Sequence, residues 1–428
     1  MRAFSTLLLA ATLCVAQPVA AQSAFPFPQH VNYAFGAIRP SNHTQAQLDQ
    51  DVRDAYAHWK SAYLLAAGTD GGGHAMYRVV CNTDGNDNTV SEGQGYGMVI
   101  VALMAGADPD ARTIFDGLYR YFNAHHSAGD PRLMSWNINS AGQTQEGNDS
   151  AYDGDSDIAL GLLLADRQWG NAGAIAYLNK ALLVIAGQAE SVTGPVTYLP
   201  LLGDWVEANG AQYNQYTTRP SDFMPSHFVS FASASGLTIW KDAIVATREV
   251  IEHLQLTYAA STGLVPDFAV RETANSTSLK PAPANFLEGA HDGHYNYNAG
   301  RVPWRLATQA LLHSDVDSAR QARRMSQWVQ TASANIATNI HPGYLLNGTP
   351  ITTSYFTSFF AAPFGVAAMV TPSQQTWLNA VYDSVRTRQE GYYEDSVNLL
   401  SMMVMSGTYW DYVAIDRIFA DGIQRVAP

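Results

Sequence analysis

The setting of Glu92 in this chain predicts acid chemistry. It ends the polar stretch Asn82-Thr83-Asp84-Gly85-Asn86-Asp87-Asn88-Thr89-Val90-Ser91 and opens an apolar run carrying Met98, Val99, Leu103 and Met104. Such a sequence predicts a loop that turns into a helix. Gly93, Gly95 and Gly97 around it let backbone or ligand come close. A carboxyl at this junction is presented at the mouth of a cleft. The expected role is the acid of a two-carboxylate site that cleaves a sugar linkage.

A second acidic stretch follows, Ala151-Tyr152-Asp153-Gly154-Asp155-Ser156-Asp157-Ile158-Ala159. Its alternating aspartates suggest a calcium loop, but Ile158 stands where the turn glycine is due and Leu164 where the closing Glu is due. Ile158, Leu162, Ala165 and Trp169 instead form an apolar helical face. Asp155 and Asp157 therefore read as helix caps. Asp153, one step outside the helix, is free to point into a cleft. A helix start lowers the pKa of Glu92, whereas a general acid must keep its proton near neutrality. A like charge nearby, such as Asp153, pushes that pKa back up.

The rest of the chain must position these groups. It has 428 residues, 47% hydrophobic and 14% charged, enough for a large core and too apolar for disorder. The net charge of −13 excludes a basic nucleic-acid face and suits a cationic substrate. Residues 1–21 read as a secretory signal: Arg2, then the apolar core Leu7 to Val15, then Val19-Ala20-Ala21 as cleavage site. Ala11-Thr12-Leu13 before Cys14 does not fit a lipoprotein signal. The mature chain, 22–428, is expected to be one domain, secreted or periplasmic, with no membrane partner once the leader is removed. Cys81 is then its single cysteine and reads as a packing thiol.

Residues 22–43 read as an extended arm. Leu48, Val52, Tyr56, Trp59 and Tyr63 predict a first helix after Thr44, broken by the glycine-rich run Gly68 to Gly73. Asp108 to Asp110 caps a helix with Ile114, Leu118 and Tyr121. Later helices are expected near 156–169, 171–188, 236–256, 301–313, 316–336, 355–370, 373–388 and 394–406, with 221–234 a weaker candidate. About a dozen helices and few convincing strands make the fold class all-α.

The Ser91-Glu92-Gly93-Gln94-Gly95-Tyr96-Gly97-Met98 run and Asp153-Gly154-Asp155 with Ile158, Ala159, Ala165 and Trp169 together resemble the acid motif and signature helix of glycoside hydrolase family 8. Tyr152 and Gly161 depart from that family's usual Ser or Thr and Ser or Ala. The segments Gly263-Leu264-Val265-Pro266-Asp267-Phe268 and Tyr393-Glu394-Asp395-Ser396 extend the likeness over nearly the whole mature chain. The resemblance implies an (α/α)6 barrel, six helical hairpins in a ring with the cleft at one end. It implies an inverting endo-hydrolase, with Glu92 as general acid and Asp153 binding the central, distorted sugar.

Much of that family carries its base Asp in the tract matching Tyr297-Asn298-Ala299-Gly300-Arg301-Val302-Pro303-Trp304-Arg305. Here the position is Asn298, and an amide takes no proton from water at neutral pH. Another carboxylate must serve, and Glu288 and Asp292 are nearest. The chain resembles the family branch of chitosanases and lichenases, where a Glu from an inserted loop is the base. Phe286-Leu287-Glu288 matches it, so Glu288 is the expected base and Asp292 its rival. An inverting pair stands roughly 6.5–9.5 Å apart, leaving room for water, which Asn298 helps orient.

Stacking walls for a long sugar chain are expected from Trp136, Trp205, Tyr216 and Tyr355. Arg219, Asp222, Asn298 and Arg301 are the polar candidates for substrate contact, with His227 in the same tract. Arg301 and Arg305, around Pro303, can also pair with the acidic site and hold it rigid; Trp304 reads as core. The expected substrate is a β-1,4-linked glucan-type polysaccharide: chitosan, mixed-linkage β-glucan or cellulose. No metal and no cofactor are expected, since His291 and His294 lack a supporting cluster and the glycines around Tyr96 follow no strand. A monomer is the expected state. The competing readings are a polysaccharide lyase on a similar ring, disfavoured by the acidic composition, and an exported glycan-binding protein, which has no need of paired Glu92 and Glu288.

Overall fold

The computed structural model describes residues 23–81 and 87–415. The leader, Cys14 and Asn82 to Asn86 of the loop before Glu92 lie outside the described residues. Twelve α-helices are found among the described residues. In chain order they are α1 (Gln45–Tyr63), α2 (Ser91–Leu103), α3 (Ala111–Ala124), α4 (Tyr152–Trp169), α5 (Tyr177–Ser191) and α6 (Pro225–Ser235). They continue as α7 (Ile239–Thr257), α8 (Val302–His313), α9 (Val316–Ala332), α10 (Ser358–Ala368), α11 (Gln375–Val385) and α12 (Tyr392–Ser406).

The burial pattern sorts them into two rings. In α10 every residue is buried, and α2, α8 and α12 come close to that. A helix apolar on all sides belongs inside. In α1 the buried apolar residues are Leu48, Val52, Tyr56, Trp59 and Tyr63, a single stripe at helical spacing, so α1 lies outside. The even-numbered helices touch in sequence, α2 to α4 to α6 to α8 to α10 to α12, and α12 returns to α2. The odd-numbered helices back them from outside, with α1 against α12 closing the circuit. The fold is an (α/α)6 barrel. Among the described residues no helix is long and apolar enough to cross a membrane.

The inner helices α2, α4, α8, α10 and α12 turn their C-terminal ends to one segment, the N-terminal arm. Their C-terminal ends leave carbonyls without intrahelical partners, and the expected N-terminal arm satisfies several of them. The N–H of Phe27 donates to Ala105 O, Val31 to Gly407 O, Ala34 to Leu311 O and Ile38 to Met369 O, at 2.7–2.9 Å. Phe25 is tied to the Gln168 side chain at the end of α4. The arm closes one end of the barrel and leaves the helix N-termini for the other.

Strands are more numerous than the sequence suggested. Antiparallel pairs form between β1 (Leu64–Thr69) and β2 (Ala75–Val79), β3 (Thr89–Val90) and β4 (Asn137–Ile138), and β5 (Ala269–Arg271) and β6 (Leu279–Pro281). Of the glycines expected only to break the first helix, Gly71, Gly72 and Gly73 make the β1–β2 hairpin turn, and Gly68 lies within β1. The helix expected from 171 begins at Tyr177, and the weak candidate over 221–234 is α6.

α2 and α4 approach unusually closely because glycines face the contact. A Cβ on Gly95 would stand 2.7 Å from the Gly154 carbonyl oxygen, and one on Gly154 would stand 2.5 Å from the Ser91 carbonyl carbon. This approach brings Glu92 and Asp153 to one point. Gly154→Ala is expected to destabilise by about 1–3 kcal/mol, outweighing the ~1 kcal/mol of helix propensity gained. A lowered midpoint of urea unfolding is the readout; an unchanged or raised one contradicts this account of the contact.

Candidate active site

Glu92 is the second residue of α2, and its approach is pinned by the β3–β4 pair and by the Ser91 N–H donating to Trp136 O at 2.8 Å. Asp153 lies inside the first turn of α4, whose N-cap is Ala151, rather than one step outside the helix as expected. Arg301, in the turn Ala299–Arg301 before α8, is fully buried between them. Its Nη1 donates to Glu92 Oε2 at 2.7 Å and to Asp153 Oδ2 at 2.6 Å. Its Nη2 donates to Ser221 Oγ at 2.8 Å and to Asn298 Oδ1 at 3.2 Å. Tyr392, opening α12, donates its hydroxyl to Glu92 Oε1 at 3.1 Å. A Cβ at Gly93 would stand 2.6 Å from that hydroxyl, which favours glycine after Glu92.

Burial, with only 16% of the Glu92 side chain exposed, has the largest effect and lifts its carboxyl to about 7. The Arg301 charge opposes this rise, and Asp153 adds to it. The rise expected from Asp153 is thus mainly a consequence of desolvation. Burial would raise Asp153 too, but Arg301 and then Arg219 hold its carboxyl below the usual range. Two neighbouring carboxyls are thereby split, one keeping its proton near neutrality and one ionised.

Glu288 comes from the loop between β6 and α8, and 49% of its side chain is exposed. Its Oε2 accepts from Asn298 Nδ2 at 2.7 Å and its Oε1 from Arg219 Nη2 at 3.1 Å. Arg219 Nη1 stands 3.8 Å from Asp153 Oδ2, bridging the two carboxylates. Asp292 is buried and accepts the backbone N–H groups of Leu287, Glu288 and Gly289.

Glu92, Asp153, Arg219, Glu288 and Asn298 line one cleft of about 570 Å³, walled by Trp136, Trp205 and Leu202. The structure does not bring every expected residue there. Tyr216 lines a separate groove, with the Arg271 guanidinium 3.3 Å from its ring centre. Asp222 is fully buried behind the arginines, 3.9 Å from each, and burial lifts its carboxyl to about 7. Tyr355 is 47% exposed and stands apart from the cleft lining, bonded through its hydroxyl to Tyr297.

Asp155 and Asp157 are not caps; α4 has no side-chain cap bond. Asp155 is fully buried, accepts the Met134 N–H at 2.8 Å, and burial raises its carboxyl well above the usual range. Asp157 is bonded to His227 Nε2 and Arg305 Nη2, both at 2.7 Å, beneath the cleft. Burial would raise Asp157, but the Arg305 charge and the His227 bond outweigh it and hold the carboxyl at about 2. Arg301 and Arg305 thus each pair with an acid, as their positions around Pro303 suggested. Residues missed in the sequence are Tyr392 and the cleft carboxylates Glu146 and Asp149. The contact of Tyr392 with Glu92 spans 300 positions and has no local signal.

Glu92 costs stability at neutral pH. The folded chain holds its proton up to about pH 7, whereas an ordinary glutamate releases it near 4.5. The stabilisation from the bound proton is complete below pH 4.5 and is lost as pH rises through about 7. Glu92→Gln is expected to raise the unfolding free energy by roughly 1–3 kcal/mol at pH 8 and little at pH 4. Urea denaturation at both pH values checks this; equal effects at both would contradict the assignment of a raised pKa.

The family model of Glycosyl hydrolases family 8 matches residues 26–407. A Beta-glucanase from Niallia circulans is 45% identical over 388 residues, 90% of this chain and 91% of that protein. An Endoglucanase from Bacillus sp. (strain KSM-330) is 35% identical over 389 residues, 90% of this chain and 81% of that protein. The apo structure of a Beta-1,3-1,4-glucanase from Paenibacillus sp.X4 superposes with a TM-score of 0.86 at 44% identity, covering 90% of this chain and 99% of that one. With these likenesses and with paired carboxyls at the open end of an (α/α)6 barrel, the chain belongs to glycoside hydrolase family 8 and is a glycoside hydrolase.

Proposed function

We propose that this chain is an exported, inverting endo-hydrolase of β-1,4-linked glucan-type polysaccharides, with Glu92 as general acid and Glu288 as general base. The observation that carries the reading is the pairing of two unlike carboxyls in one cleft. Glu92 is desolvated enough to keep its proton near pH 7, while Glu288 is half exposed where water reaches it. Glu92 protonates the departing glycosidic oxygen. Glu288 takes a proton from the water that attacks the anomeric carbon from the opposite face. Asn298, already bonded to Glu288, orients that carboxylate or the water beside it. Asp153, held ionised by Arg301 and Arg219, grips the sugar at the point of cleavage. Trp136 and Trp205, the latter 38% exposed, offer apolar faces for neighbouring sugar rings. Export rests on the leader read in residues 1–21.

The names of the similar proteins favour a β-glucan with mixed linkages as substrate. A specific feature also favours chitosan: Glu146 and Asp149 line the same cleft, and neither has a cationic partner among the described residues. A protonated sugar amine would supply one. Reducing-end release from lichenan, carboxymethylcellulose and soluble chitosan, measured in parallel, separates the two readings. Glu146→Gln should weaken cleavage of chitosan and spare lichenan if the amine reading holds.

Glu92→Gln and Glu288→Gln are each expected to lower kcat by about 10²–10⁴-fold with KM changed only slightly. The basic limb of kcat/KM should bend near pH 7, where Glu92 loses its proton. Release of the α-anomer from a β-linked substrate, seen by proton NMR, would accompany inversion; release of the β-anomer would refute it.

A further inference from the structure

The loop that carries Glu288 is held from inside by one carboxylate. Asp292 Oδ2 accepts the N–H of Leu287 at 2.7 Å and of Glu288 at 3.1 Å, and its Oδ1 accepts that of Gly289 at 2.9 Å. Both oxygens are thus occupied by backbone, and the residue is 3% exposed and absent from the cleft lining. The backbone of Asp292 is fixed in turn, since its carbonyl accepts the Phe268 N–H at 2.8 Å. Asn285, in the left-handed region at φ 57°, starts the reversal and donates its N–H to Gly289 O at 2.7 Å. Phe286 anchors the loop in a small apolar cluster with Phe268, Leu202 and Val206, and its carbonyl accepts the Tyr213 hydroxyl. Glu288 therefore leaves a rigid backbone to reach Asn298 and Arg219.

We infer that Asp292 is the positioning residue of the general base, setting where the Glu288 carboxylate stands without touching substrate or water itself. This rests on Glu288 being the base. An asparagine at 292 would turn an NH₂ towards backbone donors and release part of the loop. A shift of about 1 Å in a catalytic group costs on the order of 10²-fold in rate, and it falls on turnover because the N–H groups that Asp292 holds belong to Leu287, Glu288 and Gly289 and not to the stacking residues Trp136 and Trp205.

The test compares Asp292→Asn, Asp292→Ala and Glu288→Ala on lichenan or whichever soluble glycan the wild type cleaves best, with and without added formate. Thermal melting is followed in parallel. Expected for Asp292→Asn is a kcat about ten- to a hundredfold lower, with KM within about twofold, the fold retained, and partial recovery in formate. The same small carboxylate should rescue Glu288→Ala, because both variants lack a base in place. If Glu288→Ala keeps near-normal activity, the base reading fails and this inference with it. If Glu288→Ala is inactive while Asp292→Asn turns over normally, the positioning role alone is overturned. A loss in Asp292→Asn that tracks a collapsed melting point or a raised KM, and that formate does not relieve, also overturns it. Should Asp292→Ala fail to fold, Asp292→Asn decides.

Discussion

The guanidinium of Arg301 is the constraint on which the site depends. It is fully buried and cannot shed its proton. A buried charge is tolerated only when paired and hydrogen-bonded, so carboxylates must come to it. Glu92 and Asp153 do so, from the starts of α2 and α4, with Ser221 and Asn298 completing the shell. Those helix starts reach the same point because glycines let α2 and α4 close up. The arginine thus ties the chemistry to the packing. It also cancels part of the desolvation of Glu92, leaving that carboxyl near neutrality rather than far above it.

Glu92 and Glu288 are built on different supports. Glu92 and Asp153 stand on inner helices of the ring, backed by the main core. Glu288 stands on a loop whose apolar anchor is a separate cluster of Leu201, Leu202, Val206, Phe268, Ala282 and Phe286. Trp205 joins the same support, its ring meeting Tyr213, which in turn meets Phe286. One wall of the cleft and Glu288 are therefore a single mechanical unit. Arg219 and Asn298 are the struts between that unit and the ring.

The sequence made the local signals legible. Glu92 and Asp153 stand at helix starts written in turn formers and apolar spacing, and the arm and most helices follow the same rules. The pairing of Arg301 and Arg305 with the acids was also within reach, because Pro303 marks where that helix begins. What stayed hidden depends on distant contacts. Asp155 and Asp157 have the spacing of caps, yet their partners Met134, His227 and Arg305 come from other segments. Tyr216 is an aromatic in a loop like Trp205, but the Arg271 guanidinium covers it. The short strands were missed because each pair is only a few residues long and carries no alternating pattern.

The N-terminal arm has a consequence for the order in which this molecule is assembled. Its backbone partners are spread from Ala105 to Gly407, nearly the length of the chain. No fragment that stops short of α12 can satisfy it, although the arm is made first. Complete docking of the arm therefore needs the ends of α2, α8, α10 and α12 together, and it fastens the tails of helices far apart in the chain. Such long-separation contacts slow folding. They also join both ends of the chain in a single seal, so that loss of α12 would loosen the arm as well.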